Sequence, residues 1–225
     1  MNVYTTEKIR NVVLLGHSGC GKTSLVEAMA YLAGQTTRMG TVADGSTISD
    51  FDKEEIKRQF SIHTSVVPIE WDNVKINILD TPGQFDFAAG LYEGISAAES
   101  VVIALPAKDG VQVGTIKAYR EAIKHGKATM FVVTRMEEEN SNFYKCLEEL
   151  KTQFGPSICP IVVPFDKYGT VESYINLLEM KAYTYDNGVP TEVPMPASEN
   201  RLKGLRAAMA EAVAETVSYT HLRAH

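Results

Sequence analysis

Residues 11–15, Asn-Val-Val-Leu-Leu, form a short unbroken apolar run, the pattern of a parallel strand buried on both faces. The period then changes. Leu25, Ala28, Met29 and Leu32 recur at helical spacing, and Gly34 is placed to end that helix. Residues 35–59 are polar and lack strong periodicity, which inside a compact domain marks a functional loop or lid. Within them, the charge run at residues 52–58 reads as a solvated helix. Residues 62–70 and 75–79 are β-rich runs joined across residues 71–74, predicting a hairpin. Two strand–helix repeats follow. Residues 100–105 lead to a helix at 113–125 with Ile116, Tyr119, Ala122 and Ile123 on one face. Residues 129–133 lead to a helix capped by Ser141 and running through Phe154, with Phe143, Leu147 and Leu150 inward.

This alternation predicts an α/β fold, a mostly parallel sheet with helices on both faces. The pattern shifts after Gly155-Pro156. Residues 158–164 and 174–185 read as further strands, Asp186-Asn187-Gly188 as a turn, 189–196 as a proline-rich linker and 199–216 as a helix. A boundary near Phe165 separates a domain at residues 1–165 from a partial α+β subdomain at 166–216. Residues 217–225, Val-Ser-Tyr-Thr-His-Leu-Arg-Ala-His, resemble the frame translation of a sequencing adapter and are set apart from the fold. On that reading the chain is a fragment; the alternative is an ordinary frayed helix end.

Composition narrows the class. The 225 residues are 44% hydrophobic and 22% charged, which excludes a disordered or collagen-like chain. A formal net charge of −6 argues against nucleic-acid binding by bulk charge. Cys20, Cys146 and Cys159 are odd in number and lack zinc spacing, so free thiols in a reducing compartment are expected. No apolar run approaches the roughly 18 residues of a membrane span, and residues 1–10 lack a signal core. A soluble, cytoplasmic protein is expected, with no membrane partner.

Between the first strand and first helix stands Gly16-His17-Ser18-Gly19-Cys20-Gly21-Lys22-Thr23, followed by Ser24. The spacing Gly-x-x-x-x-Gly-Lys-Thr is that of a P-loop. Its glycines let successive N–H groups turn inward around a β-phosphate, Lys22 reaches the β- and γ-phosphates, and the Thr23 hydroxyl ligates Mg²⁺. Cys20 reads as a small residue filling the bend. Asp80-Thr81-Pro82-Gly83 ends the strand at 75–79. Asp80 can hold Mg²⁺ through water, and Gly83 can offer its N–H to a γ-phosphate. Alone the segment would read as a simple turn. Together with the P-loop it reads as a nucleoside-triphosphate switch.

These residues resemble the translational GTPases of the elongation factor G family. The Gly16-His17 opening, Asp44-Gly45 followed by Asp50 and Glu54-Glu55, and Asp80-Thr-Pro-Gly-Gln-Phe-Asp-Phe87 fall in that family's order and spacing. Ala107-Lys-Asp-Gly-Val-Gln-Val113 matches its next segment, and Ile175-Asn-Leu-Leu-Glu-Met-Lys-Ala182 resembles the start of its insert. The resemblance implies a P-loop NTPase G domain, binding of GTP and GDP with Mg²⁺, slow hydrolysis without the ribosome, and a monomer acting on the ribosome in translocation, recycling or protection. It implies that Ser61 stands for the first switch's metal-binding threonine and Gln84 for its catalytic histidine, orienting water beside Lys22. It also implies that Thr134, Arg135 and Glu137 stand for the guanine-reading Asn-Lys-x-Asp, although Thr134 lacks the two bonds of an asparagine amide. The alternative for residues 137–139 is a solvated acidic turn. The family's Ser-Ala loop and downstream domains lie beyond these 225 residues. Two other readings stay open: a P-loop NTPase with relaxed base choice, and a nucleotide-binding ribosomal interaction protein that barely hydrolyses.

Overall fold

The computed structural model describes residues 2–167, 170–186, 188–196 and 199–223. The chain divides into two compact units, Met1–Arg135 and Met136–His225.

The first unit is built on a five-stranded sheet: β1 (Ile9–Gly16), β2 (Ser65–Trp71), β3 (Val74–Asp80), β4 (Ser100–Pro106) and β5 (Ala128–Thr134), in the order β2-β3-β1-β4-β5. All pairs are parallel except the β2–β3 hairpin. Its helices are α1 (Lys22–Leu32), α2 (Lys53–Arg58), α3 (Ala89–Ala97) and α4 (Val113–Lys124). The unbroken run in β1 is explained by the two cores. Val13 and Leu15 pack with Ile95 of α3 and Ala118 and Ala122 of α4. Leu14 points the other way, to Val26 and Ala30 of α1. β2, at the sheet edge, alternates: Val67 and Ile69 are buried while Val66 is exposed, and Pro68 is tolerated because an edge strand spares one ladder bond. Asp72 and Asn73 turn the hairpin with φ of 47° and 61°, the paired left-handed residues of a type I′ turn.

α1 and α4 are rotated from the expected faces only in part, since Leu25, Met29, Tyr119 and Ala122 still meet the core. In α4 the buried residues are Gly114, Thr115, Ala118 and Ala122, whereas Ile123 is exposed. Small side chains let the helix approach the sheet closely, and that proximity outweighs the size of Ile123. In α1 the buried face runs through Thr23, Val26, Glu27 and Ala30, and Leu32 is exposed.

The second unit holds α5 (Phe143–Phe154), a four-stranded antiparallel sheet of β6 (Val162–Lys167), β7 (Thr170–Asn176), β8 (Lys181–Asp186) and β9 (Val189–Val193), and α6 (Glu199–Arg223). Its core joins Val163, Ile175, Leu177, Ala182, Leu202 and Met209. Four expectations change here. α5 is capped by Asn142, whose carbonyl oxygen accepts from Lys145 N–H at 2.9 Å, while the Ser141 hydroxyl instead donates to Met136 O at 2.7 Å. The run at 174–185 is two strands, because Asn176 accepts from the N–H groups of Leu178 and Glu179 and turns the chain. Residues 189–193, expected in a linker, form edge strand β9, where Pro190 is again tolerated. α6 continues past Thr216, since no glycine or proline follows Gly204 to stop it. Asn187 of the expected turn and residues 224 and 225 of the expected tail lie outside the described residues. Among the described residues no helix is long and apolar enough to cross a membrane.

Candidate functional site

The strand order places β1 between β3 and β4, so the chain leaves its carboxyl end toward one side after β1 and toward the other after β3. In an open α/β sheet the crevice at that reversal is where ligands bind. The Gly16–Thr23 loop follows β1, Asp80-Thr-Pro-Gly83 follows β3, and Thr134 ends β5.

The loop's glycines are required by contact as well as conformation. A Cβ on Gly16 would come 2.5 Å from Ala104 O and 2.7 Å from Cys20 Sγ. A Cβ on Gly83 would come 2.5 Å from Lys22 Nζ and 2.8 Å from Ser18 N, so the backbone after β3 lies directly against the loop. Gly21 caps α1 with φ 87° and offers no side chain to the first turn, leaving those amides free for an anion at the positive end of the helix. Lys22 is 6% exposed, and its ammonium donates to His17 O at 3.1 Å and Gly16 O at 3.3 Å.

Beside it three oxygens converge. The Thr23 hydroxyl donates to Asp80 Oδ2 at 2.9 Å and lies 3.2 Å from Ser61 Oγ. Asp80 is 1% exposed; its Oδ2 also accepts from Ser49 Oγ at 2.7 Å, whereas its Oδ1 is buried with no hydrogen-bond partner. Burial raises the Asp80 carboxyl above its ordinary range, against the lowering effect of Ser49 and Lys22. An orphaned carboxylate oxygen beside two hydroxyls is a hard-oxygen set suited to Mg²⁺. Thr81 anchors the segment by donating to Leu14 O at 2.6 Å.

Asp50 lies in the same buried cluster. Burial raises its pKa to about 6, with the neighbouring Asp80 and Glu55 adding to the rise and a hydrogen bond from Ser61 opposing it. The unfolded chain ionises more readily, near 3.8, so Asp50's contribution to stability is complete below that value and lost as pH rises to about 6. Asp50→Asn is therefore expected to raise the melting temperature of the metal-free chain at pH 8, with the gain shrinking as pH falls from 6 toward 4. Melts of both proteins across that window check it; a gain independent of pH would show that Asp50 is not the titrating group.

Thr134 reaches the loop through its hydroxyl, which lies 2.7 Å from Cys20 O and 3.2 Å from Leu105 O. One proton serves both carbonyls, and the shorter contact ties the end of β5 to the bend of the loop. Cys20 is buried there as a free thiol. Arg135 is exposed, with a left-handed φ of 55°. Glu137 belongs to the second unit and is exposed there. Gln84 follows Gly83 at the head of a short 3-10 turn, Phe85–Phe87, and is half-buried. The His17 ring lies tilted against Phe85, ring centroids 5.6 Å apart, and Ser18, Gly19 and Ser24 complete the loop and first turn.

Two residues escaped the sequence reading. Ser49 sits in the polar stretch with no pattern to single it out. Glu27 carried a signal: an acid between Val26 and Ala30, four residues after Thr23, on the buried face of α1.

Comparison with known proteins accords with this arrangement. The family model described as elongation factor Tu GTP binding domain matches residues 7–218. An elongation factor G-like protein of Mycobacterium tuberculosis (strain ATCC 25618 / H37Rv) is 33% identical over 208 residues, covering 92% of this chain and 28% of the relative. The mitochondrial ribosome-releasing factor 2 of Anopheles gambiae is 31% identical over 181 residues, covering 80% of this chain and 25% of the relative. A protein of Thermus thermophilus known by crystal structure superposes with a TM-score of 0.88 at 36% identity, over 93% of this chain and 32% of its own. The chain thus spans less than a third of the length of these relatives. It belongs to the elongation factor Tu GTP binding domain family.

Proposed function

We propose that this chain is the GTP-binding and GTP-hydrolysing part of an elongation factor G-like protein acting on the ribosome. The observation that carries the reading is the buried meeting of Thr23, Ser61 and Asp80 beside Lys22, beneath a loop that only glycines can form. On this reading residues 16–24 hold the phosphates through backbone N–H groups, and Lys22 balances the β- and γ-phosphate charge. Thr23, Ser61 and Asp80 hold Mg²⁺, which when bound neutralises charge on the phosphates. Gly83 presents its N–H to the terminal phosphate, and Gln84 orients water. Thr134, Arg135 and Glu137 each keep the guanine-reading role that the family resemblance implies. Residues 1–165 constitute the G domain, 166–216 the start of its insert, and 217–225 a foreign tail.

Titration with fluorescent GTP, GDP and ATP, with and without Mg²⁺, tests this. Guanine nucleotides are expected to bind more tightly than ATP, and only with the full Mg²⁺ contribution. Equal affinity for ATP and GTP would sink the guanine assignment and leave the phosphate site standing.

A second reading has its own support. The single Thr134 hydroxyl is engaged by Cys20 O, so it cannot supply the second contact an asparagine amide gives. That favours the alternative of relaxed base selection in a ribosome-associated paralogue, and the same titration separates the two on base choice.

A further inference from the structure

We infer that Glu27 is a positioning residue for the metal side of this site, a brace on α1 that holds segment 35–50 so that Ser49 reaches Asp80. The inference rests on the reading of Thr23, Ser61 and Asp80 as the Mg²⁺ site and adds a residue to it.

Glu27 is 2% exposed, and a carboxylate so buried requires partners for both oxygens. It has them in the backbone of the polar segment. Oε1 accepts from Gly40 N–H at 2.8 Å, and Oε2 accepts from Ile48 N–H at 2.7 Å. Both are short, charge-assisted bonds, and they span eight residues of a stretch that has no strand or helix between Leu32 and Lys53. Gly40 is fitted to the contact, since a Cβ there would collide with Ser46 O and lie 3.0 Å from Glu27 Oε1.

The consequence follows from adjacency. Ile48 precedes Ser49, whose hydroxyl donates to Asp80 Oδ2 and whose carbonyl accepts from Ser65 Oγ at 2.7 Å. Asp50, next in the chain, is buried with it at 5% exposure. On α1, Thr23 and Glu27 are four residues apart and share the buried face. One helical face therefore presents a hydroxyl to the metal oxygens and, one turn on, a carboxylate to the segment that closes over them. Glu55 secures the far end independently, its Oε1 accepting from Ile62 N–H at 2.9 Å and His63 N–H at 3.0 Å, so loss of Glu27 frees residues 40–48 without releasing Ser61.

Two measurements test the brace on the whole chain. Amide exchange by NMR is expected to show Gly40 and Ile48 protected in the nucleotide-free wild type; exchange at unprotected rates would overturn the inference. Glu27→Gln keeps the shape but turns one acceptor into a donor facing an N–H. For each protein the gain in GTP affinity on adding Mg²⁺ is measured against its own affinity in EDTA. That gain is expected to fall about tenfold in E27Q, as for loss of one charge-assisted bond. A purely structural role would weaken both conditions together and leave the ratio unchanged, which would also overturn it. Should E27Q fail to fold, Ile48→Pro deletes the donor while keeping the carboxylate, and the same fall in the ratio decides. If the wild type binds no nucleotide with Mg²⁺, the proposed function fails, while the exchange result still tests the brace.

Discussion

Lys22→Ala is expected to abolish measurable triphosphate binding while leaving the chain folded. Lys22 is 6% exposed, and its ammonium lies between two loop carbonyls and Gly83. No other cation in residues 16–24 could replace it. Each charge-assisted bond to a phosphate contributes about 1.5–3 kcal/mol, so losing two weakens binding on the order of a hundred- to ten-thousandfold. Lys22→Arg is not expected to rescue, because the planar guanidinium is wider than an ammonium and Gly83 already closes the space around Nζ. Equilibrium titration with a fluorescent GTP analogue measures the effect, and a thermal melt controls for folding. Unchanged affinity in a folded Lys22→Ala protein would remove the phosphate assignment.

The contrast between what could be read along the chain and what could not follows from range. The placing of residues 16–23 between a strand and a helix was legible, because β1 and α1 each carry their own local pattern on either side of the glycines. β1 was legible because burial on both faces requires an unbroken apolar run. The hairpin at Asp72-Asn73 and the helix begun by Asp52 were likewise local; Asp52 and Glu55 form a reciprocal capping box written into Asp-x-x-Glu. The contacts of Ser49 and Glu27 were not legible, because their partners lie 31 residues away at Asp80 and 13 and 21 away at Gly40 and Ile48; the acid on a buried helix face was the one sign Glu27 gave. The face of α5 was legible, with Leu147 and Leu150 buried and Phe143 packed on the core, whereas α1 and α4 are rotated for a different reason. In α4, close approach by Gly114, Thr115 and Ala118 sets the rotation, and hydrophobic size does not record that. The Ser141 assignment missed by one position because either polar residue could cap, and the choice was made by Met136 O, which took the serine hydroxyl.

Gln84→Ala, in a protein carried to full length, is expected to lower ribosome-stimulated GTP turnover about a hundredfold, the cost of losing one positioned catalytic group. Gln84 follows Gly83, whose backbone lies against Ser18 N and Lys22 Nζ. That places its main chain one residue from the point where a terminal phosphate would meet the loop. A phosphoryl-transfer site needs water held in line, and among the side chains of residues 84–87 the Gln84 amide is the one that can both donate to and accept from a water. An amide is a poor base and does not titrate, so turnover without the ribosome is expected to be very slow and to lack an imidazole limb near pH 6.5. Gln84→His, which restores the residue of the resembled family, is expected to retain stimulated turnover and to introduce that limb. GTP affinity should change little in either variant, because on the proposed reading the side chain acts on water and the nucleotide is held by Lys22, Thr23 and the loop amides. Single-turnover assays separate the two quantities. Stimulated turnover equal to wild type in Gln84→Ala would refute the water-orienting role and favour the interaction protein that barely hydrolyses.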